Sequence, residues 1–421
     1  MRPDQARRAV LPVVWVATLG ADRIDLLGGH VSVHVTPFLV LTPIVAAAEL
    51  WRRRMEGSPV ALGRAMLAYC ALLLCLAVVV LASVYVSRET AVSAARATLL
   101  VATIAGTLVV ILTLPEKEVV GILARGAVLG LALFALFSVL EGLTFLGIAP
   151  EHLLAGPIDV DLVTAPYAGI FPRLSGPVID PNRGGLLVLC YAYALARGAF
   201  RPRMRRSWLG LAALLLLLTL SRSAVLAAGV AFVVILAERR RLALGFAPAV
   251  VALVLVGAMS VVLLAFPVTG QRFAETVSPF SQRLSAGEGS ATTHLALVQR
   301  GFAAATASVP RALIGLGYGS SYLVLDDIFP GNRYGNFHSL YVSMFAESGV
   351  FALLLIVALL AVPLTRRGPY RALVVGLVIF NVFYQATVEP VFWAVLALAW
   401  LSMDAHRTMR VVGIHPPRLR S

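Results

Sequence analysis

The chain has 421 residues, of which 59% are hydrophobic and 13% are charged, and its mean hydropathy is +0.88. This composition excludes an ordinary soluble domain and predicts an all-α polytopic membrane protein. The net charge of +14 does not indicate nucleic-acid binding, because the basic residues lie in short clusters between apolar segments. All three cysteines lie in apolar segments, which indicates packing rather than a disulfide framework.

Apolar windows of about 20 residues predict the membrane spans in chain order. We expect twelve, near residues 9–27, 32–51, 60–84, 91–113, 119–146, 182–199, 207–221, 222–237, 243–266, 338–362, 370–387 and 390–404. The first span is expected to be retained, because it runs into Asp22 and Arg23 rather than into a small-residue cleavage site. The seventh and eighth spans share one apolar run, which favours a hairpin or a sharp break at the motif TLSRS.

The basic clusters predict the orientation of these spans. With twelve spans, one side of the membrane receives the arginine clusters at 52–54, 201–206, 239–241, 366–367 and 407–420. The positive-inside rule makes this side cytoplasmic. We therefore expect a single membrane domain over residues 1–421, cytoplasmic termini, a cytoplasmic tail at 405–421, and long loops at 147–181 and 267–337 on the opposite side.

The segment GNRYGNFHSLY, residues 331–341, runs directly into an apolar span. It places the His338 imidazole where water, lipid and a charged ligand can meet, although a histidine here can also simply cap a helix. The preceding loop contains no lysine but contains Arg272, Arg283, Arg300, Arg311 and Arg333. Because arginine forms bidentate bonds to phosphate oxygens and stays charged, the expected ligand is a phosphate or a diphosphate.

Two further motifs contain arginines. TLSRS places Arg222 at the end of a leucine-rich run, where it either snorkels and helps to end the helix or binds a lipid-linked phosphate. FPRLSG and DPNRGG place Arg173 and Arg183 ahead of the sixth span and at its start. Asp180 or Asn182 can cap that helix, and exposed amides at a helix start favour an anion. Both arginines are therefore expected to be secondary ligands.

The acidic residues carry weaker signals. Asp159 and Asp161 could bind a divalent cation in front of a diphosphate, but the arginines can neutralise that charge, so we expect neither a metal nor another cofactor. Glu347 lies nine residues after His338, nearly opposite to it on a helix. An acid within a span indicates either function or a satisfied polar contact. Tyr341, at i+3 from His338, is expected to share its helical face.

Taken together, these motifs resemble the O-antigen ligase and O-antigen polymerase superfamily of bacterial envelopes. The resemblance rests on the leucine-rich helix before TLSRS, a large loop with Pro310 and GLG at 315–317, then NFHSLY at 336–341 and ESG at 347–349. By motif it covers roughly residues 165–365. It implies a multi-pass protein of the bacterial inner membrane, with its active site on the periplasmic face.

The resemblance also implies an activity and its partners. Ligases of this superfamily transfer a glycan from undecaprenyl diphosphate to a hydroxyl of lipid A-core, without a metal or a nucleotide sugar. His338 matches the family's loop histidine, and Arg222 matches its arginine at the end of the leucine-rich helix. A further family arginine lies early in the large loop, usually ahead of an aromatic residue; Arg300, which precedes Phe302, matches it, and His294 or Arg283 could instead occupy that place. The supporting or acceptor-side residues are expected to be Tyr341, Asn336 and Arg333.

The chemistry of these residue types agrees with that role. A neutral histidine can accept the proton of an attacking hydroxyl, and fixed guanidinium groups stabilise a departing diphosphate. Direct displacement predicts inversion of the anomeric centre, because no carboxylate is positioned in the sequence as a covalent nucleophile. The nearest alternative is a polymerase that joins lipid-linked repeat units. An alternative of another class is a transporter of an anionic lipid or solute, which would use arginines near the membrane midplane.

Overall fold

The structure is a computed structural model that describes residues 9–28, 35–58, 60, 62–115, 118–163, 166–167, 171–239, 289–328, 330, 335–366 and 368–411. Its helices are α1 Val10–Ala17, α2 Pro37–Met55, α3 Arg64–Val84, α4 Thr90–Thr113, α5 Val119–Phe145, α6 Pro181–Arg197, α7 Pro202–Leu218, α8 Arg222–Arg239, α9 Gly289–Thr306, α10 Val309–Ile314, α11 Tyr322–Leu325, α12 Leu340–Leu364, α13 Arg371–Val382 and α14 Pro390–Val411. Its strands are β1 Ile24–Asp25, β2 His152–Ala155, β3 Ile158–Asp161, β4 Pro166–Tyr167 and β5 Phe171–Pro172. The protein is therefore mostly helical, as its composition predicts.

The chain divides into two compact units. The first consists of Met1–Ser58, Leu112–Thr292 and Glu389–Val391, and the second of Pro59–Ile111, Thr293–Val388 and Phe392–Ser421. The first unit contains α1, α2, α5 to α8 and the five described strands, and the second contains α3, α10 to α13 and most of α4, α9 and α14. Each unit is described separately below.

Four of the described helices are long and apolar enough to cross a membrane, namely α3, α4, α5 and α12. They coincide with four of the predicted spans, at 60–84, 91–113, 119–146 and 338–362. α13 and residues Pro390–Asp404 of α14 are shorter apolar helices. The predicted span at 243–266 lies outside the described residues, and the count of twelve spans stays a prediction.

The first predicted span is helical only in α1, a correction to the continuous segment expected at 9–27. After Ala17 the chain turns and then extends into β1. The Arg23 side chain explains this change, because it is 1% exposed and donates hydrogen bonds to the carbonyl oxygens of Asp161 at 2.8 Å and Val178 at 2.9 Å. A continuous helix would not allow the backbone to place Arg23 among these acceptors.

The described residues of the segment at 147–181 include the short strands β2 to β5, which the all-α prediction did not include. β3 lies between β1 and β2 in an antiparallel sheet, with Val160 opposite both Ile24 and Leu153. Gly156 has a φ of 63° and begins the two-residue connection between β2 and β3, a position that favours glycine. The helical prediction therefore holds for the apolar spans, and this polar segment adds a small β-structure.

In the second unit, α9 packs against the segment that precedes α12. Gly301 permits the close approach, because a Cβ atom there would lie 2.8 Å from the Phe337 Cγ atom. Leu297, Ala305, Leu325, Phe337 and Ala346 form a common apolar core. Between α10 and α11 runs the sequence GLGYGSS, residues 315–321, called the GLGYGSS loop below.

Candidate functional site

His338 lies in the turn directly before α12 rather than in the helix. Its φ is 51°, and its backbone N–H donates to the Asn336 Oδ1 atom at 2.8 Å. An asparagine side chain commonly stabilises a turn in this way, whereas a left-handed residue cannot continue into a right-handed helix. The turn therefore sets the direction of the His338 side chain independently of the helix that follows.

This turn corrects the expectation for Tyr341. The i+3 relation to His338 holds only within a helix, and α12 begins after His338, so the shared helical face is wrong. The Tyr341 hydroxyl instead donates to the Val378 carbonyl oxygen of α13 at 3.1 Å. This contact favours a packing role for Tyr341 between two helices.

The half-buried His338 imidazole contacts an aromatic side chain. Its ring lies edge-on to the Tyr384 ring, with centroids 6.1 Å apart and an interplanar angle of 67°. The Tyr384 carbonyl oxygen also accepts the Leu340 N–H at 2.9 Å, and the Tyr384 ring packs on Phe380 with centroids 5.4 Å apart. The residues that follow α13 therefore fix both the start of α12 and one side of the imidazole.

α12 is interrupted at Gly349, and the GLGYGSS loop pairs with the helix just before this interruption. Gly349 has a φ of 79° and a ψ of −179°. The N–H groups of Leu316 and Gly317 donate at 2.9 Å to the carbonyl oxygens of Ala346 and Glu347. The helix break thus exposes two backbone acceptors, and the loop satisfies both of them.

The Glu347 side chain binds the same loop. It is 1% exposed, and its two oxygens accept the N–H groups of Gly319 at 3.0 Å and Ser321 at 3.3 Å. The Ser321 hydroxyl in turn donates to the Gly335 carbonyl oxygen at 2.7 Å, three residues before His338. Of the two roles that the sequence left open for Glu347, the structure supports a satisfied polar contact.

Serines of α3 and of the residues around the start of α4 contact the other side of the loop. The Ser83 hydroxyl accepts the Tyr318 N–H at 3.1 Å, and the Ser93 hydroxyl donates to the Tyr318 carbonyl oxygen at 2.8 Å. The Ser87 and Ser320 hydroxyls lie 2.8 Å apart. Sequence reasoning missed these serines, because small polar residues in apolar helices occur singly and carry no spacing signal.

Of the three arginines predicted in the large loop as ligands or supporting residues, the structure describes Arg300. Arg300 lies on α9 and forms an ion pair with Asp327, and each side chain is 52% exposed. Such an exposed ion pair contributes little to the free energy of folding. The Arg300 guanidinium can therefore exchange Asp327 for another anion at little cost in stability. Arg283 and Arg333 lie outside the described residues, and their assignments stay predictions.

In the first unit, three of the motifs identified from the sequence meet. Leu220 has a φ of 51° in the turn between α7 and α8, which confirms the break predicted at TLSRS. The Asn182 Oδ1 atom accepts the Ser221 hydroxyl at 3.0 Å and an Arg173 N–H at 3.5 Å. Arg222, half-buried, is the first residue of α8. Arg173 and the TLSRS turn are thus joined by one amide side chain.

Arg183 directly follows Asn182 in the chain, but its side chain contacts acidic residues. It forms ion pairs with Asp22 at 2.6 Å and with Glu389, while Asp180 accepts its N–H and caps α6. Burial raises the pKa of Glu389 to about 7, although the nearby Arg183 guanidinium opposes this rise. These contacts favour a structural role for Arg183, and its assignment as a diphosphate ligand stays a prediction.

A buried ion pair that sequence reasoning did not identify fixes the FPRLSG segment. An Arg23 Nη2 atom lies 2.7 Å from Glu141 Oε1, and the two side chains are 1% and 0% exposed. Glu141 also accepts the Ser175 hydroxyl at 2.7 Å and the Gly176 N–H at 2.9 Å. This network determines where the chain runs immediately after Arg173.

Asp159 and Asp161 lie on β3, two residues apart, with other partners. Asp159 Oδ1 lies 3.2 Å from His152 Nδ1, and Asp161 Oδ1 accepts the Val163 N–H at 2.8 Å. Within the described part of the chain, no three His, Cys, Asp or Glu side chains are grouped as a metal site would require. Metal independence stays a prediction about the reaction.

These observations define a class of protein: a helical membrane protein that presents an ordered histidine turn at the start of a membrane helix. The model of the family described as O-antigen ligase matches residues 208–357, from within α7 to within α12. No curated protein matches the chain. The family match confirms the resemblance to the O-antigen ligase and polymerase superfamily. The matched family covers both O-antigen ligases and O-antigen polymerases, and its enzymes are glycosyltransferase-like.

Proposed function

We propose that this protein is an O-antigen ligase, a glycosyltransferase of lipopolysaccharide synthesis. It moves an O-antigen glycan from undecaprenyl diphosphate to a hydroxyl of lipid A-core, at the periplasmic face of the bacterial inner membrane. The observation that carries this proposal is the His338 turn: a half-buried imidazole, with a φ of 51°, at the start of α12 and inside the segment that matches the family.

His338 acts as the general base in this proposal. A neutral imidazole nitrogen accepts the proton of the acceptor hydroxyl as the oxygen attacks the anomeric carbon. Such assistance contributes about 10²–10⁴-fold to the rate. The Asn336 side chain supports the base indirectly, because it accepts the His338 N–H and stabilises the turn.

Arg222 is proposed to bind the diphosphate of the donor, with Arg173 as a secondary ligand. Negative charge develops on the diphosphate as the bond to the anomeric carbon breaks, and fixed guanidinium groups stabilise that charge in the transition state. The contact of Arg173 and Ser221 with Asn182 supports this role, because it orders the turn directly before Arg222. Arg300 is proposed as a further ligand that exchanges Asp327 for the diphosphate.

The proposed reaction is a single displacement. The oxygen of the acceptor forms the new glycosidic bond while the carbon–oxygen bond to the diphosphate breaks, so the configuration at the anomeric carbon inverts. The proton passes to His338 and the electron pair leaves with undecaprenyl diphosphate. Arginines neutralise the leaving group, and the proposal therefore includes no metal.

The test combines purified protein, lipid-linked glycan and lipid A-core in the presence of EDTA, and resolves the products on a gel. We expect glycan on lipid A-core from the wild type, and none from the His338→Ala variant. His152→Ala is the matched control, because it removes an imidazole that is 51% exposed on β2 and is expected to leave transfer unchanged.

Three other outcomes would contradict the proposal in distinct ways. Longer glycans that remain on the lipid carrier would identify a polymerase. No transfer with either substrate would favour the transporter. Transfer that EDTA abolishes and Mg²⁺ restores would overturn metal independence and direct attention to Asp159 and Asp161.

A further inference from the structure

The His338 turn is connected to Glu347 by hydrogen bonds between buried groups. Glu347 accepts the Ser321 N–H at 3.3 Å, and the Ser321 hydroxyl donates to the Gly335 carbonyl oxygen at 2.7 Å. Glu347 and Ser321 are 1% and 2% exposed. Water is therefore excluded from these contacts, and an unpaired group here would be costly. The connection links the interior of α12 to the residues that form the turn.

The connection ends where it can influence the imidazole. Gly335 directly precedes Asn336, whose side chain accepts the His338 N–H at 2.8 Å. A displacement of the Gly335 carbonyl group would move the peptide that begins Asn336. That movement would change the hydrogen bond that stabilises the left-handed His338, and the imidazole would rotate with its backbone.

We propose that Glu347 and Ser321 are positioning residues for His338. Glu347 fixes the position of the GLGYGSS loop by accepting two backbone N–H groups. The hydrogen bond from the Ser321 hydroxyl to the Gly335 carbonyl oxygen then fixes the His338 turn relative to that loop. This inference deepens the proposed function and rests on it wherever glycan transfer is the readout. Neither residue touches the reacting atoms, and each acts through the turn.

The chemistry of the contact explains why a carboxylate is required. Both Glu347 oxygens accept backbone N–H groups, from Gly319 at 3.0 Å and from Ser321 at 3.3 Å. The side chain of glutamine has only one oxygen, so its NH₂ group would face one of these donors. Glu347→Gln therefore keeps the volume but loses at least one of the two contacts.

Ser320 provides a matched control for Ser321. Both residues belong to the GLGYGSS loop and both are 2% exposed. The Ser320 hydroxyl lies 2.8 Å from the Ser87 hydroxyl, whereas the Ser321 hydroxyl donates to Gly335. Ser320→Ala and Ser321→Ala therefore remove the same group from the same loop, and only Ser321→Ala removes the contact with the His338 turn.

The experiment measures transfer and the His338 imidazole separately. Initial rates over a range of donor concentrations give kcat and KM, and mass spectrometry follows labelling of His338 by diethyl pyrocarbonate, with His152 as the internal reference. For Ser321→Ala we expect kcat to fall about tenfold with KM little changed, and for Glu347→Gln on the order of 10²-fold. In both variants the labelling rate of His338 relative to His152 should change severalfold.

Ser320→Ala is expected to keep both quantities within about twofold of the wild type. Wild-type kcat and wild-type labelling of His338 in Ser321→Ala would overturn the inference, as would equal losses in Ser320→Ala. If labelling changes as expected but His338→Ala still transfers glycan, the positioning inference stands and the proposed base is wrong.

Discussion

Replacement of Gly349 by alanine tests whether the break in α12 allows the backbone of Leu313, in α10, to approach the helix closely. Gly349 has a φ of 79° and a ψ of −179°, a region that is essentially open only to glycine. An alanine Cβ atom would lie 2.1 Å from the Leu313 carbonyl oxygen and 2.4 Å from the Leu313 carbonyl carbon. Both are backbone atoms, so no side-chain rotation can relieve the overlap.

The expected loss of stability has two parts. The backbone conformation costs a residue other than glycine about 1–3 kcal/mol. Relief of the overlap requires the two backbone segments to separate by more than an ångström, which breaks the bonds from Leu316 to Ala346 and from Gly317 to Glu347. Each bond contributes about 1 kcal/mol. We therefore expect the free energy of unfolding to fall by about 3–5 kcal/mol.

The assay is thermal unfolding of the purified protein in detergent, followed by the intrinsic fluorescence of its five tryptophans. For a chain of this length the expected loss lowers the midpoint by roughly 3–6 °C. Gly210→Ala is the matched control, because no heavy atom lies within 4 Å of its Cβ position in α7 and alanine is the better helix former. A Gly349→Ala protein with the same unfolding midpoint as the wild type would refute this account of the break.

Three further predictions concern the first unit. Arg222→Lys should lower the initial rate of glycan transfer at least about tenfold, because lysine keeps the charge but loses the bidentate fork; a wild-type rate would rule out a bidentate diphosphate contact. Glu141→Ala leaves the Arg23 guanidinium buried without its carboxylate and should cost about 3–5 kcal/mol in the thermal assay, and an unchanged midpoint would contradict this. Because the pKa of Glu389 is raised from 4.5 to about 7, its contribution to stability is present below pH 4.5 and is lost as the pH rises through about 7. Glu389→Gln should remove that part of the pH dependence of the midpoint, and a profile identical to that of the wild type would disprove the assignment.

The features that sequence predicted well are those with a local physical cause. The helices at Arg64–Val84 and Leu340–Leu364 follow from the length of their apolar runs. The break at TLSRS follows from polar residues and an arginine that cannot remain in a continuous apolar helix. The position of His338 at the start of α12 follows from the polar segment that precedes it.

The features that sequence did not predict depend on contacts between distant residues. Arg23 interrupts the first apolar segment because its acceptors lie more than 130 residues away, at Asp161 and Val178. The role of Glu347 depends on a loop 28 residues earlier and on a helix break that no apolar pattern indicates. The left-handed conformation of His338 also requires Asn336 and the residues after α13. Periodicity contains no information about such partners.

The contacts of the GLGYGSS loop also set an order for its assembly during synthesis. Ser87 precedes its partner Ser320 by 233 residues, and Glu347 follows its partner Gly319 by 28 residues. A chain that leaves the ribosome makes α3 and α4 first, then the loop, and only afterwards the beginning of α12. The loop therefore lacks its contacts with Glu347 until that residue has been synthesised. A chain truncated before Glu347 contains His338 without the residue that orders its turn.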